Sequence, residues 1–110
     1  MIVRPKKHLG QHFLTDKNIC EKIAETFSKH QNCNRIIEIG PGMGALTEFL
    51  VKRNLDITLM EIDAESIDYL NVNFPKLKER TFDVDFLKCN IQEYMGDKPF
   101  SVVGNFPYNI

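Results

Sequence analysis

The sequence predicts an α/β fold in which helices alternate with the strands of a parallel sheet. Short β-branched runs and segments of helical periodicity follow one another in the order helix, then β-α-β-α-β-(α)-β. Strands connected in this way lie parallel, with right-handed crossovers between them. The 110 residues are 43% hydrophobic and 26% charged, which is typical of a globular chain that forms one domain at most.

The first helix is predicted over residues 16–29, after a basic lead-in. Thr15 and Asp16 offer side-chain oxygens for an N-cap. Apolar residues then recur at helical spacing, and they are Ile19, Cys20, Ile23, Ala24 and Phe27. The polar residues 30–34 read as a turn, so the helix ends before them.

A glycine-rich turn separates the first strand from the second helix. Residues 35–39, Arg-Ile-Ile-Glu-Ile, form a short β-branched run of the kind found in buried strands. The segment Gly40-Pro41-Gly42-Met43-Gly44 ends that run abruptly. A helix over residues 45–53 follows, with Leu46, Phe49 and Leu50 on one face.

The later elements continue the alternation more weakly. We predict strands over residues 56–60, 81–84 and 100–104. A helix is predicted over residues 64–74 and a short helix over residues 91–95. In the helix, Ile67, Leu70 and Phe74 face inward, and Pro75 stops it. A four-stranded parallel sheet leaves an uncovered edge strand, which is a pairing liability. We therefore expect residues 1–110 to be the N-terminal part of a larger domain and of a longer protein.

Composition and cysteine usage narrow the functional classes. The net charge of −1 argues against a wholly basic nucleic-acid binder, although it leaves room for a local basic patch. No apolar run is long enough for a membrane span, and the N-terminus lacks the apolar core of a signal peptide. Cys20, Cys33 and Cys89 contain no C-x-x-C pair, so we predict reduced thiols in a cytoplasmic protein and neither a zinc site nor a redox pair.

The glycine turn and two acidic residues predict a nucleoside site. Glycines between a strand and a helix, here Gly40, Gly42 and Gly44, allow a tight turn and close approach of a ligand to the backbone. Glu61 ends the next strand, where its carboxylate can accept both hydroxyls of a ribose, and Asp85 ends the third strand, within reach of an adenine amine. A nicotinamide dinucleotide and S-adenosylmethionine both fit such an acid. The G-x-G-x-G spacing and Glu38 before it favour S-adenosylmethionine.

The segment Asn105-Phe106-Pro107-Tyr108 follows the last strand and is suited to holding an exocyclic amine. The Asn105 side chain and the Phe106 carbonyl can both accept hydrogen bonds, and Pro107 fixes the turn between them and Tyr108. A planar base can stack on Tyr108, an interaction worth about 1–3 kcal/mol. We therefore expect this segment to aim an amine nitrogen at a methylsulfonium.

Four motifs together give a specific resemblance. They are Gly10-Gln11-His12-Phe13-Leu14, Glu38-Ile39-Gly40-Pro41-Gly42-Met43-Gly44-Ala45-Leu46-Thr47, Glu61-Ile62-Asp63, and Asn105-Phe106-Pro107-Tyr108-Asn109-Ile110. In this order, over nearly the whole chain, they resemble the ribosomal RNA adenine N6,N6-dimethyltransferases, and most of all the bacterial KsgA-type branch that acts on small-subunit rRNA. Two positions differ from the usual pattern, because His12 stands where Asn is most common and Phe106 where Leu or Ile is.

The resemblance implies a Rossmann-like fold, S-adenosylmethionine as cofactor and no metal. It implies dimethylation of two adjacent adenines in a hairpin near the 3′ end of small-subunit (16S) rRNA, during ribosome biogenesis in the cytoplasm. By the same resemblance, the cofactor-binding residues are His12, Leu14, Gly40, Gly42, Glu61, Asp85 and Asn105. The catalytic residues are Asn105, Pro107 and Tyr108, with Asn105 between the cofactor and the target base.

Three other functions remain open at this point. A large-subunit rRNA adenine methyltransferase of the macrolide-resistance type shares the motifs, although Gly-Pro-Gly-Met-Gly-Ala-Leu-Thr resembles the small-subunit branch better. A non-catalytic RNA-binding or assembly factor could retain the nucleotide pocket, and the short chain favours that. A nicotinamide-dependent oxidoreductase fits the glycine turn, but the segment 105–108 does not suit it.

Overall fold

Four parallel strands form one sheet in a computed structural model that describes residues 16–29 and 33–104. The strands are β1 (Arg35–Ile39), β2 (Asp56–Glu61), β3 (Thr81–Asp83) and β4 (Ser101–Gly104). They lie in the order β3-β2-β1-β4, so the chain crosses from one side of β1 to the other between β3 and β4. The predicted parallel α/β fold is confirmed.

The helices alternate with the strands as predicted. They are α1 (Lys17–Lys29), α2 (Thr47–Leu50), α3 (Ala64–Asn73) and α4 (Gln92–Met95), with a 3₁₀ helix at Pro75–Arg80. Asp16 caps α1, because its Oδ1 accepts from the N–H of Asn18 at 3.0 Å and of Ile19 at 3.3 Å. Asp63 caps α3 in the same way, with 3.0 Å between its Oδ2 and the Ser66 nitrogen.

The structure differs from the predicted elements at two places, the second helix and residues 75–80. The second helix is shorter than the predicted 45–53, because its flanks form tighter turns, in which Phe49 N–H donates to Leu46 and Arg53 N–H to Leu50. The 3₁₀ helix was not predicted at all. It has one partly buried apolar residue, Leu77, so it carries no periodic signal.

Apolar residues cover both faces of the sheet. On one face, Ile36 of β1 packs with Cys20 and Ala24 of α1 and with Leu50 of α2. On the other face, Ile37 packs with Met60 and Met95. Among residues 16–29 and 33–104, no helix is both long and apolar enough to cross a membrane.

Candidate nucleoside-binding site

The carboxyl ends of all four strands meet at one edge of the sheet. Ile39 pairs with Met60 of β2 and with Gly104 of β4, and Glu61 pairs with Asp83 of β3. In open α/β sheets, ligands bind outside this edge where the strand order reverses, which here is between β1 and β4. The predicted site residues in the described part of the chain follow these strand ends.

The glycine turn after β1 is built on left-handed backbone. Gly40, Gly42 and Gly44 have φ of 63°, 57° and 82°, which L residues with a side chain rarely adopt. The turn is fastened to the neighbouring strand, because the N–H of Gly40 donates to the carbonyl of Met60 at 2.9 Å. It closes on itself where the N–H of Gly44 donates to Pro41 at 2.8 Å.

Gly42 and Gly44 differ in their surroundings. A Cβ on Gly42 would have no atom within 4 Å, so this part of the turn faces open space that a ligand can approach. A Cβ on Gly44 would lie 2.5 Å from the ring of Phe74, at the end of α3. Gly42 is therefore the glycine that offers a binding surface, and Gly44 is the one required for packing.

Glu61 is a buried carboxylate held by backbone donors, with only 7% of its surface exposed. Its Oε1 accepts from the N–H of Gly42 at 2.9 Å, and its Oε2 accepts from Ile62 at 2.9 Å and Asp63 at 3.0 Å. A carboxylate has about four acceptor positions. One ligand hydroxyl can therefore bind directly, and a second has to replace the N–H of Gly42.

Asp85 lies beyond β3 and is half-buried. Its Oδ1 accepts from the N–H of Leu87 at 3.0 Å, and its carbonyl accepts from Lys88 and Cys89, so it organises the loop that follows. Asp83, the other acid in this segment, is exposed. The Asp85 side chain is thus held by a backbone hydrogen bond, and this role in the turn comes in addition to the predicted contact with adenine.

Glu38 and Thr47 form a buried pair beneath the glycine turn. Both side chains are almost fully buried, and the Thr47 hydroxyl donates to Glu38 Oε1 at 2.5 Å. Burial raises the pKa of Glu38 to about 7; the hydrogen bond from Thr47 opposes the rise and the charge of Glu61 adds to it. Glu38 therefore exchanges a proton near neutral pH.

Three exposed apolar residues at this edge were not predicted as site residues. Met43, Ile62 and Leu87 are 57%, 63% and 56% exposed, and they follow β1, β2 and β3 respectively. Ile62 is next to Glu61, and Leu87 is bonded to Asp85. An apolar residue within two positions of a strand-end acid is the signal that could have identified Ile62 and Leu87, because a planar ligand needs apolar surface beside its polar anchor; no such signal marks Met43.

Five predicted site residues lie outside the described residues. They are His12, Leu14, Asn105, Pro107 and Tyr108. Asn105 follows Gly104 directly, and Gly104 belongs to the same strand edge. The described segments 16–29 and 33–104 contain no group of three or more His, Cys, Asp or Glu side chains that could hold a metal ion.

Two curated proteins are similar to this chain over nearly its whole length. The chain is 50% identical to "Ribosomal RNA small subunit methyltransferase A" of Flavobacterium johnsoniae, over 98% of this chain and 41% of that protein. It is also 50% identical to the protein of the same name from Parabacteroides distasonis, over 99% of this chain and 40% of that protein. The chain thus spans about two fifths of the length of these curated relatives.

A solved structure and a family profile agree with these relatives. The crystal structure of the 23S rRNA methyltransferase ErmE matches with a TM-score of 0.57 and 29% identity, over 81% of this chain and 35% of that one. Residues 2–110 match the profile of the family described as "Ribosomal RNA adenine dimethylase". The family match covers nearly every residue, including the glycine turn and the strand-end acids, and the chain therefore belongs to the ribosomal RNA adenine dimethylase family.

Proposed function

We propose that the protein is an S-adenosylmethionine-dependent methyltransferase that dimethylates the N6 amines of two adjacent adenines in a hairpin near the 3′ end of small-subunit rRNA. The observation that carries this proposal is the Glu61 carboxylate, held by backbone N–H groups beside the open side of Gly42. The family and the curated relatives support the choice of an adenine in small-subunit rRNA as substrate. That substrate would be met on precursors of the small ribosomal subunit, in the cytoplasm.

The described residues fit the proposed cofactor. Glu61 can take a ribose hydroxyl at its remaining acceptor position, and the open space at Gly42 leaves room for the methionine part next to the backbone. Ile62 and Leu87 offer apolar surface on which the adenine ring can lie, and Asp85 can accept from its amine. Once bound, S-adenosylmethionine supplies an electrophilic methyl group on a sulfonium.

The segment 105–108 is the proposed catalytic segment. The N6 lone pair of adenine is delocalised into the ring, so the free amine is a poor nucleophile. We propose that the Asn105 side chain and the Phe106 carbonyl accept the two amine hydrogens, which aims the lone pair at the methyl group. Positioning of this kind can supply roughly 7–11 kcal/mol of the barrier.

Unstacking of the target adenine has to precede the reaction. Taking a base out of its stack costs a few kcal/mol. We propose that Tyr108 offsets part of this cost by stacking on the adenine, and that Pro107 keeps Tyr108 and the Phe106 carbonyl in register. His12 and Leu14 are proposed to close the cofactor site from the N-terminal side.

Asn105→Ala tests the assignment of the catalytic segment. With the full-length protein, methyl transfer from tritiated S-adenosylmethionine to undermethylated small ribosomal subunits should fall at least about a hundredfold, the scale expected for losing a positioning group. The Kd for S-adenosylmethionine should rise by less than about tenfold, because one hydrogen bond to the cofactor is worth about 0.5–1.5 kcal/mol. Equal losses of transfer and affinity would contradict the role proposed for Asn105.

Two further arms complete this experiment. Asn54→Ala is the matched control, because Asn54 is exposed and precedes β2 at the opposite edge of the sheet, so both quantities should stay unchanged. Large ribosomal subunits serve as the second substrate. Transfer to them instead would favour the macrolide-resistance type, and binding without transfer to either subunit would favour an assembly factor.

A further inference from the structure

The Glu38–Thr47 hydrogen bond closes the chain around the glycine turn. Glu38 belongs to β1 and Thr47 is the first residue of α2, so the two partners lie nine residues apart on either side of the turn. Glu61 fastens the same turn from β2 through the N–H of Gly42. A change in the Glu38–Thr47 hydrogen bond would therefore alter the support of the backbone that would face a ligand.

The pair also places an ionisable carboxyl directly beneath that backbone. Glu38 is 1% exposed, and electrostatic interactions across such a buried environment are weakly screened by solvent. Glu38 shares this region with the Glu61 carboxylate, which is close enough to raise the Glu38 pKa. A positive charge arriving at the turn would favour the ionised form of Glu38, whereas a neutral ligand would not.

We propose that Glu38, held by Thr47, is a positioning residue that couples the charge of the ligand to proton release, so that the site favours a sulfonium over the neutral thioether that remains after methyl transfer. This inference rests on the proposed function, because it takes the sulfonium to be that of S-adenosylmethionine. On binding, the proton leaves Glu38 for the solvent. After the methyl group and its positive charge have gone, the Glu38 pKa returns to about 7, so the preference for S-adenosylmethionine over S-adenosylhomocysteine grows as the pH rises through 7.

The other ionisable groups near Glu38 do not explain such a coupling. On α1, Cys20 faces Glu38, and burial followed by the charge of Glu38 raises the pKa of its thiol, which stays protonated between pH 6 and 8. Asp16 and Glu48 raise the pKa of Cys20 further. The β4 strand, the other neighbour of β1, contributes Ser-Val-Val-Gly and so has no ionisable side chain.

Calorimetric titration of the full-length protein between pH 6 and 8.5 tests the proposal, with S-adenosylmethionine and S-adenosylhomocysteine as the two probes. Both probes carry the same amino-acid and adenosine groups, so their own ionisations largely cancel in the comparison. If the bound cation lowers the Glu38 pKa by one unit from about 7, its Kd should be about fivefold weaker at pH 6 than at pH 8. Titrations in two buffers of different ionisation enthalpy should show release of about 0.4 proton at pH 7 with S-adenosylmethionine and almost none with S-adenosylhomocysteine.

Four variants separate the contribution of the Glu38–Thr47 pair from that of its surroundings. Glu38→Gln keeps an acceptor for Thr47 without the charge, so the difference between the two probes should lose its pH dependence. Thr47→Val removes the hydrogen bond that lowers the Glu38 pKa, so the midpoint should move to higher pH, and Thr47→Ser should restore it. Glu48→Gln removes an exposed charge from the same helix and should leave the profile unchanged.

The possible outcomes are distinct. Identical pH profiles for the two probes, or an unchanged profile in Glu38→Gln, would overturn the inference while leaving the proposed function standing. If Glu38→Gln does not fold, an unmoved midpoint in Thr47→Val would overturn it equally. Failure of the wild-type protein to bind either probe at any pH would overturn the proposed function and this inference together.

Discussion

At the scale of single residues, the glycine turn shows two different physical reasons for a missing side chain. Gly42 needs its left-handed φ and faces open space, whereas Gly44 needs both its φ and the volume that Phe74 fills. The spacing G-x-G-x-G treats the three glycines alike. Only the packing around the glycines shows that Gly42 offers a surface to a ligand and that Gly44 makes a contact within the fold.

Gly42→Ala and Gly44→Ala should therefore have different effects. An L residue at a left-handed φ costs about 1–2 kcal/mol, so both variants should lose about that much free energy of unfolding. Gly44→Ala should lose about 1–3 kcal/mol more, because its methyl group collides with Phe74. Urea denaturation followed by circular dichroism measures both losses.

Gly96→Ala is a control for the effect of Gly42→Ala on ligand binding. Gly96 has φ 67° and open space around its Cβ position, as Gly42 does, but it ends α4. Because Gly96 also has ψ −154°, a combination almost restricted to glycine, we expect Gly96→Ala to lose at least as much stability as Gly42→Ala, with only Gly42→Ala weakening binding of S-adenosylmethionine. Equal affinities in these two variants would show that the ligand does not approach Gly42.

At the scale of elements, the approach of β4 to β1 governs where the segment 105–108 begins. A Cβ on Gly104 would overlap the carbonyl oxygen of Ile39, so these two strands can pair at their carboxyl ends only because residue 104 has no side chain. Gly104, the residue before Asn105 in the sequence, thus lies directly against Ile39, the residue before the glycine turn. The separation of β1 and β4 is a structural condition for the proposed catalytic geometry.

Gly104→Ala should disturb this pairing at its carboxyl end. The collision is with backbone, which cannot rotate away, and overpacking of this kind costs about 1–3 kcal/mol. We expect faster amide hydrogen exchange in β4 and a larger loss of methyl transfer than of cofactor affinity. Ser101→Ala, at the other end of β4, should change neither, and a Gly104→Ala variant with native exchange rates would contradict the argument.

Local patterns in the sequence were enough to predict most elements and the strand-end acids. Apolar periodicity identified α1 and α3, and β-branched runs identified β1 and β2, because these signals arise within a single segment. The 3₁₀ helix and the short extent of α2 depend on turns without such a signal. Three contacts join residues of different elements, so no pattern within one segment could reveal them. They are the Glu38–Thr47 bond, the contact of Glu61 with Gly42 and the packing of Phe74 on Gly44.

At the scale of the whole molecule, the buried carboxyl of Glu38 makes stability depend on pH. Its pKa is about 7 in the folded chain and near 4.5 for an exposed glutamate, so the folded state binds more protons between these values. Stability therefore falls as pH rises from 4.5 to 7, the reverse of the usual behaviour of carboxylates in ion pairs. The two partly exposed ion pairs of Asp56, with Arg35 and Arg80, lie near the opposite edge of the sheet and should contribute little.

Glu38→Gln should remove this pH dependence. We expect the wild-type free energy of unfolding to fall by about 3 kcal/mol more than that of the variant between pH 4.5 and 8. Urea denaturation across this range measures the difference, and Glu48→Gln should follow the wild type because Glu48 is exposed. Parallel curves for wild type and Glu38→Gln would mean that the buried carboxyl is not protonated in the folded state.

The contact between Phe74 and Gly44 has a consequence for how substitutions spread through the domain. Phe74 lies where α3 ends, with its ring in the space that a side chain at residue 44 would need. A smaller residue at position 74 would leave a void beside the glycine turn and would make space for a side chain at position 44. Variation at these two sites should therefore be correlated among homologues, and a designer who alters one of them must reshape the other.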